Sequence, residues 1–268
     1  FLAAAAVSAA ALALTACGGS ASTASSAASS VAASSEAAST SAAAAELTTV
    51  EAGKLTMATN AAFPPYEMTT DAGEFEGIDM DTAKAIAEKL GLELQIDDMD
   101  FAAALLSVQQ GKADIAMAGV TVTDERKAVM DFSDSYATGI QSIIVPEGSD
   151  IASPDDLAGK KIGTQRGTTG YIYCSDDFGD DAVVAYDDGL TAVQALNNGQ
   201  VDAVVIDNAP AKEFVAANPG LVILDTSYAE EDYAIGLAKG SALEDAVNAA
   251  LEELKADGTL QSIVDKYI

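Results

Sequence analysis

Two arginines occur in this 268-residue chain, Arg126 and Arg166. Arg126 closes the run Thr121 to Arg126, where a planar guanidinium can hold a carboxylate through two parallel N–H···O bonds that a lysine ammonium cannot reproduce. An ion pair with Asp124 or Asp131 on a helix surface is the plainer use of the same residue. Gly167, Thr168 and Thr169 follow the second arginine. At a helix start they would turn unpaired backbone N–H groups and a positive dipole end toward an anion, although Gly-Thr-Thr is also an ordinary cap. Asp207 ends the apolar run Ala203 to Ile206, where a carboxylate needs a cation or several donors to stay charged. A ligand ammonium would serve; capping the helix after Asn208 would be the simpler role. Asp79 and Asp81 form a further acidic pair, read as capping and loop geometry and not as site residues.

Composition removes several kinds of chemistry. There is no His and no Trp, so histidine-based catalysis is excluded and the commonest metal ligand is missing. No metal or other cofactor is implied. A formal charge of −29 repels nucleic-acid phosphates and anionic headgroups and reads most simply as solubility. Cys17 and Cys174 are the only cysteines, so if Cys17 is consumed by a lipid, Cys174 is a free thiol.

The elements that would place these residues are legible from apolar spacing. Lys54 to Thr59 reads as a strand, Asp81 to Leu90 as a helix stopped by Gly91, and Leu92, Leu94 and Ile96 as a second strand. A helix from Phe101 to Gln110 and the strand Ile115 to Ala118 complete a βαβαβ unit, which implies a parallel sheet. The phrase Gln110, Gly111, Lys112, Ala113, Asp114 returns as Asn198, Gly199, Gln200, Val201, Asp202, again before a strand, Ala203 to Ile206. Lys161 to Gln165 and a helix marked by Leu190, Val193 and Leu196 precede it, so a second lobe of like topology is expected. Tyr233 to Ala238 reads as a strand, Ser241 with Glu244 as a capping box, and Ile263, Val264 and Tyr267 as a terminal helix. Ligands in such sheets bind outside the carboxyl ends of the strands, so two facing lobes would enclose one between Asn60, Gly119, Gly167 and Asp207.

The first residues read differently. Phe1 to Ala16 is apolar, uncharged and too short for a membrane span of about 20 residues, and looks like a signal-peptide core whose start is missing. Leu14, Thr15, Ala16 and Cys17 resemble a bacterial lipobox, with Cys17 the lipidation site. The Ser/Ala-rich stretch that follows cannot bury enough apolar surface to order itself. It reads as a tether of roughly 35 residues with a span of about 35 Å.

Thr59 to Tyr66, Gly77 to Asp81, Ala118 to Arg126, Gly167 to Thr169 and Val204 to Asp207 together resemble the polar amino acid family of ABC-transporter solute-binding proteins, over about Lys54 to Ile268. The resemblance implies an α/β, bilobal type II periplasmic-binding fold, with two parallel-sheet lobes joined by two crossing strands. Residues 54–139 plus 232–268 would form lobe 1 and 140–231 lobe 2, after a signal of 1–17 and a tether of 18–53. It further implies that Arg126 clamps a ligand α-carboxylate with the backbone at Thr121 and Thr169, that Thr168 shares that helix start, and that Asp207 and the Gly119 carbonyl take the α-ammonium. Phe63 and Phe101 would sandwich the side chain; each also reads as core, evenly so for Phe101 at a helix start, with Phe63 in its Phe-Pro-Pro-Tyr loop the better site candidate.

Asn60 stands where family members that bind lysine, arginine or histidine commonly carry an acid. A cationic side chain would lose hydration there without gaining a carboxylate, so neutral polar ligands such as glutamine rank first, acidic ones second and cationic ones last. The implied protein is a monomer on the extracytoplasmic face of the cell membrane, held by its lipid and delivering an amino acid to an ABC permease, without nucleic acid and without catalysis. Two other functions fit the same pattern. One is an enzyme like cyclohexadienyl dehydratase, using Glu67 or Asp207 as acid or base and separable by a keto-acid assay; the other is a ligand-sensing domain, separable by a neighbouring permease gene.

Overall fold

The computed structural model describes residues 47–268; the signal-like run, Cys17 and the Ser/Ala-rich stretch through residue 46 lie outside the described residues. The chain is tied down before its first strand, since Val50 N–H donates to Asp114 Oδ1 at 2.7 Å. It then runs through β1 (Lys54–Thr59), the short antiparallel strands β2 (Ala62–Phe63), β3 (Glu67–Thr69) and β4 (Phe75–Glu76), α1 (Ile78–Leu90), β5 (Glu93–Asp98), α2 (Phe101–Gln109), β6 (Ile115–Ala116), α3 (Asp124–Val129) and β7 (Met130–Phe132). A long strand, β8 (Ala137–Pro146), leads to β9 (Ile162–Gln165), α4 (Thr169–Phe178), β10 (Val183–Tyr186), α5 (Gly189–Asn197), β11 (Ala203–Asp207), α6 (Asn208–Ala217), β12 (Leu221–Ile223) and β13 (Ala229–Tyr233). Last come β14 (Gly236–Ala238), α7 (Glu244–Ala256) and α8 (Thr259–Tyr267).

Two principal sheets result, one ordered β5-β1-β6-β14-β7 and the other β10-β9-β11-β8-β12, with β13 also on β8. Each contains a parallel βαβαβ core, β5-β1-β6 and β10-β9-β11. The sequence implies wholly parallel sheets, but both are mixed, because β14 runs antiparallel to β6 and β8 antiparallel to β11. Those strands are where the chain changes sheets: β7 leads into β8, and β13 returns to β14. The two crossings pair with each other, from Ala137↔Tyr233 to Gln141↔Ala229.

The echoed phrase folds the same way twice. Gly111 and Gly199 both take φ +66°, a left-handed conformation that glycine adopts without a Cβ penalty. The next residue then donates back into the preceding helix, Lys112 N to Ser107 O and Gln200 N to Ala195 O, both at 2.9 Å. Asp114 accepts from Thr56 N at 2.7 Å, and Asp202 from Lys161 N at 2.8 Å. Each aspartate therefore pins the edge of its lobe's central parallel strand.

Four local expectations are corrected. The first helix begins at Ile78, not Asp81, with Gly77 as its cap and no side-chain cap bond, so Asp79 and Asp81 sit inside the first turn. The strand expected over Ile115 to Ala118 pairs only at Ile115–Ala116, because the chain then peels away into the cavity wall. The strand expected over Tyr233 to Ala238 is broken, since Tyr233 pairs with Ala137 in one sheet and Gly236 with Phe132 in the other. The Ser241/Glu244 box does not form: Ser241 Oγ accepts from Leu243 N at 3.2 Å and the helix starts at Glu244.

Burial follows the periodicity. Leu55 and Met57 of β1, Ala83, Ile86 and Ala87 of α1, and Val247, Leu251 and Leu254 of α7 share one core, each large aliphatic contributing about 1.5–3 kcal/mol. Lys89 reaches Glu253 at 3.0 Å and Asp257 at 3.3 Å across the α1–α7 packing. Exposed pairs of this kind add little to stability.

Candidate functional site

The carboxyl ends of β1, β6, β9 and β11 meet at a cavity of about 300 Å³, open mouth included, lined by Asn60, Phe63, Phe101, Gly119, Thr121 and Arg126 together with Thr168, Thr169 and Asp207. All nine ligand-binding candidates from the sequence are therefore in one place. Glu67, Ala118 and Gln165 complete the lining; in the sequence Glu67 suggests only a possible acid or base, and Gln165 only the end of a strand.

Arg126 is buried and makes neither of the surface ion pairs open to it: Asp124 lies near Lys127, and Asp131 pairs with Lys239. Its Nη1 donates to Thr121 O at 2.7 Å and its Nη2 to Gly167 O at 3.1 Å, while the guanidinium carbon stands 5.4 Å from the centre of the Phe101 ring. Two of the five donors of the fork are thus used to aim it. Burial lowers the Arg126 pKa, and Glu231 opposes that shift. Thr168 caps α4 by accepting from Tyr171 N at 3.4 Å, which places Thr169 in the first helical turn, where backbone N–H groups have no partner within the helix. A carboxylate at this end of the cavity would meet a guanidinium fork and a helix start.

Asp207 ends β11, and although it precedes α6 its side chain makes no cap bond. The carboxylate instead accepts from the Tyr233 hydroxyl and, at 2.8 Å, from Gln141 Nε2. Burial pushes its pKa up to about 7, and Glu231 adds to the rise. Among the described residues no lysine or arginine pairs with it, so an ammonium arriving in the cavity would restore its charge. Gly119 lies alongside with φ +54°, and a Cβ there would meet the Phe63 ring at 3.0 Å; only glycine lets the ring close over that peptide.

Phe63 and Phe101 are both core and cavity wall, which leaves both of their uses open. Asn60 donates to Met99 O at 3.0 Å and accepts from Gln165 Nε2 at 2.8 Å, which leaves its amide one further N–H and one further lone pair. Arg166 points away from the cavity, donating to Ala185 O at 3.1 Å beside Asp187 on the exposed rim. Asp79, read as a loop residue, is fully buried and holds the Gly119 peptide through its N–H at 3.0 Å. Cys174 is a buried free thiol whose pKa burial raises to about 12, leaving it unreactive.

Three buried carboxyls thus have raised pKa values, Asp79 to about 6, Asp207 to about 7 and Glu67 well above its usual value, all chiefly by burial. A raised native pKa gives stability that is complete below the unfolded-state value and declines as pH rises through the native one. The ligand-free protein is therefore expected to melt at a higher temperature at pH 5 than at pH 8. Differential scanning calorimetry checks this; a midpoint that rises over that interval would refute the buried-carboxyl account.

Residues 55–268 match the family model described as bacterial extracellular solute-binding proteins, family 3. The L-cystine-binding protein TcyJ of Escherichia coli K12 is 32% identical over 222 residues, 81% of this chain and 83% of that protein. Among solved structures, the arginine-, lysine-, histidine-binding protein ArtJ of Geobacillus stearothermophilus is 34% identical with TM-score 0.77, covering 80% of this chain and 95% of that one. An ancestral arginine-binding protein bound to glutamine is 42% identical with TM-score 0.77, covering 81% and 98%.

Proposed function

This chain belongs to the bacterial extracellular solute-binding proteins of family 3, and we propose that it captures a free amino acid with a neutral polar side chain, glutamine first, for delivery to an ABC permease. Its relatives bind amino acids for ABC transporters and are not enzymes, and the family is extracytoplasmic. The observation that carries the reading is the pairing, in one buried cavity, of an Arg126 fork already aimed by two carbonyls with an Asp207 carboxylate that lacks a cation. An α-amino acid supplies both complements at once. In this reading Thr121, Thr168 and Thr169 assist at the carboxylate, the Gly119 peptide assists at the ammonium, and Phe63 and Phe101 flank the side chain.

Asn60 supports the neutral preference. Its amide keeps one donor and one acceptor for a ligand amide or hydroxyl and offers a cation no charge. That an arginine-binding relative is also known bound to glutamine fits a pocket in which a few side-chain contacts decide the ranking. Asn60→Asp is expected to shift the affinity ratio toward arginine over glutamine by about tenfold or more, read by competition calorimetry; an unchanged ratio in a folded variant would remove Asn60 from the specificity argument.

The protein further works, in this proposal, as a monomer anchored through Cys17, the two lobes 54–139 plus 232–268 and 140–231 rotating about the β8–β13 crossings as they close on ligand. Cys17→Ser is expected to release it from the membrane fraction; retention with normal processing would exclude the lipid anchor.

A further inference from the structure

Among the described residues, four carboxyl groups are buried around the cavity, Glu67, Asp79, Asp207 and Glu231, against a single buried cation, Arg126. Their hydrogen bonds separate them. Asp79 receives Gly119 N–H at 3.0 Å and the Tyr136 hydroxyl at 2.7 Å. Asp207 receives Tyr233 and Gln141, and Glu231 receives the Thr121 hydroxyl at 3.1 Å and Gln141 at 2.9 Å. Glu67, only 1% exposed on β3, receives no hydrogen bond, and its Oε2 has no partner among the described residues.

The carboxyl set beside Glu67 is that of Asp79, which adds to the effect of burial in holding the Glu67 pKa up. The backbone enforces this placement: Ile78 N donates to Pro65 O at 3.1 Å and Asp79 N to Tyr66 O at 2.9 Å, so the start of α1 is laced to the turn before β3. A hydrogen bond between two carboxyls needs a proton, and two buried carboxylates in contact cannot both ionise. Asp79 already accepts two donors, which favours its ionised form; Glu67 accepts none, so the proton belongs there.

We propose that Glu67 stays protonated at neutral pH and donates to Asp79, making the pair a singly charged positioning device that fixes the Gly119 peptide in the cavity wall. Glu67 is then a positioning residue acting through Asp79 and Gly119. The groups facing it are Asp79 from α1, Asp98 from β5 and Asp207 from β11, with Tyr66 and Tyr136 close by. Arg126, the cation lining the same cavity, is held by Thr121 O and Gly167 O and makes no ion pair with Glu67, so no cation beside Glu67 favours loss of its proton. The effect on ligand affinity rests on the amino-acid reading above; the protonation itself does not.

Infrared spectroscopy at about pH 8 tests the proton directly, because Asp207 and Asp79 are largely ionised there. The protein is expected to show a protonated-carboxyl C=O band that Glu67→Gln removes; spectra in which that substitution removes no such band would overturn the proposal. Glutamine affinity tests the positioning: Glu67→Gln keeps a donor to Asp79 and is expected to bind at least about tenfold tighter than Glu67→Leu, which keeps none. Equal affinities of the two would overturn the positioning role. Should Glu67→Leu fail to fold, Glu67→Gln against the unaltered protein replaces it, with loss of binding below about one-tenth as the contrary result. Absence of glutamine binding in the unaltered protein would count against the amino-acid reading and leave the band to decide the proton.

Discussion

Replacing Arg126 with Lys is expected to weaken amino-acid binding by about 2 kcal/mol or more, roughly a 30-fold rise in Kd. The guanidinium spans from Thr121 O to Gly167 O and stands over the Phe101 ring, so one planar group answers to both sheets and still has donors left for a ligand. A lysine ammonium can satisfy one carbonyl or the ligand carboxylate, but not in a fixed fork. The ligand-free protein also loses the fork across Thr121 O and Gly167 O, so the melting temperature should fall without ligand and fall further when measured with saturating glutamine. A folded Arg126→Lys protein with unchanged affinity would remove the clamp.

Gly77→Ala is expected to destabilise the fold by about 3 kcal/mol or more. Gly77 has φ +133°, and a Cβ there would lie 2.1 Å from Tyr66 O and 2.9 Å from Glu67 N, both backbone atoms that cannot swing aside. The same approach lets α1 lace onto the chain entering β3, so strain at this point disturbs the contact that brings Asp79 beneath Gly119. Gly53→Ala is the matched control: φ is +81° but nothing lies within 4 Å of the added carbon, so only the backbone term of about 1–2 kcal/mol remains. Urea midpoints that fall equally for the two variants would show that the close approach contributes nothing.

The sequence carried most of the cavity because its residues advertise themselves locally. Arginine is so scarce here that the placement of Arg126 was informative, and Asp207 stood out as a charge ending an apolar strand. The glycines of the repeated phrase announced two alike units, and both units fold as that phrase suggested. Less legible was whatever depends on contacts between distant segments. Asp79 looks like any acid beside a helix start until α1 is seen laced to Pro65 and Tyr66, and Glu231 lies on an exposed-looking run, Glu230 to Asp232, until β13 pairs with β8 and turns it inward. Similarly, the break after Tyr233 leaves no mark in the alternation of apolar residues, because the chain changes partner sheets without changing its own extended form. Gln165 shows the same limit: its reach across to Asn60 at 2.8 Å is a property of how β1 and β9 face each other, not of either strand.

Calorimetric titration of the protein with glutamine and arginine side by side decides whether this cavity takes a free amino acid by its α-carboxylate and α-ammonium and prefers a neutral polar side chain. Glutamine is expected to bind saturably, one to one, and more tightly than arginine. Titrations in which neither amino acid gives saturable heat, or in which arginine binds tighter than glutamine, would contradict that expectation.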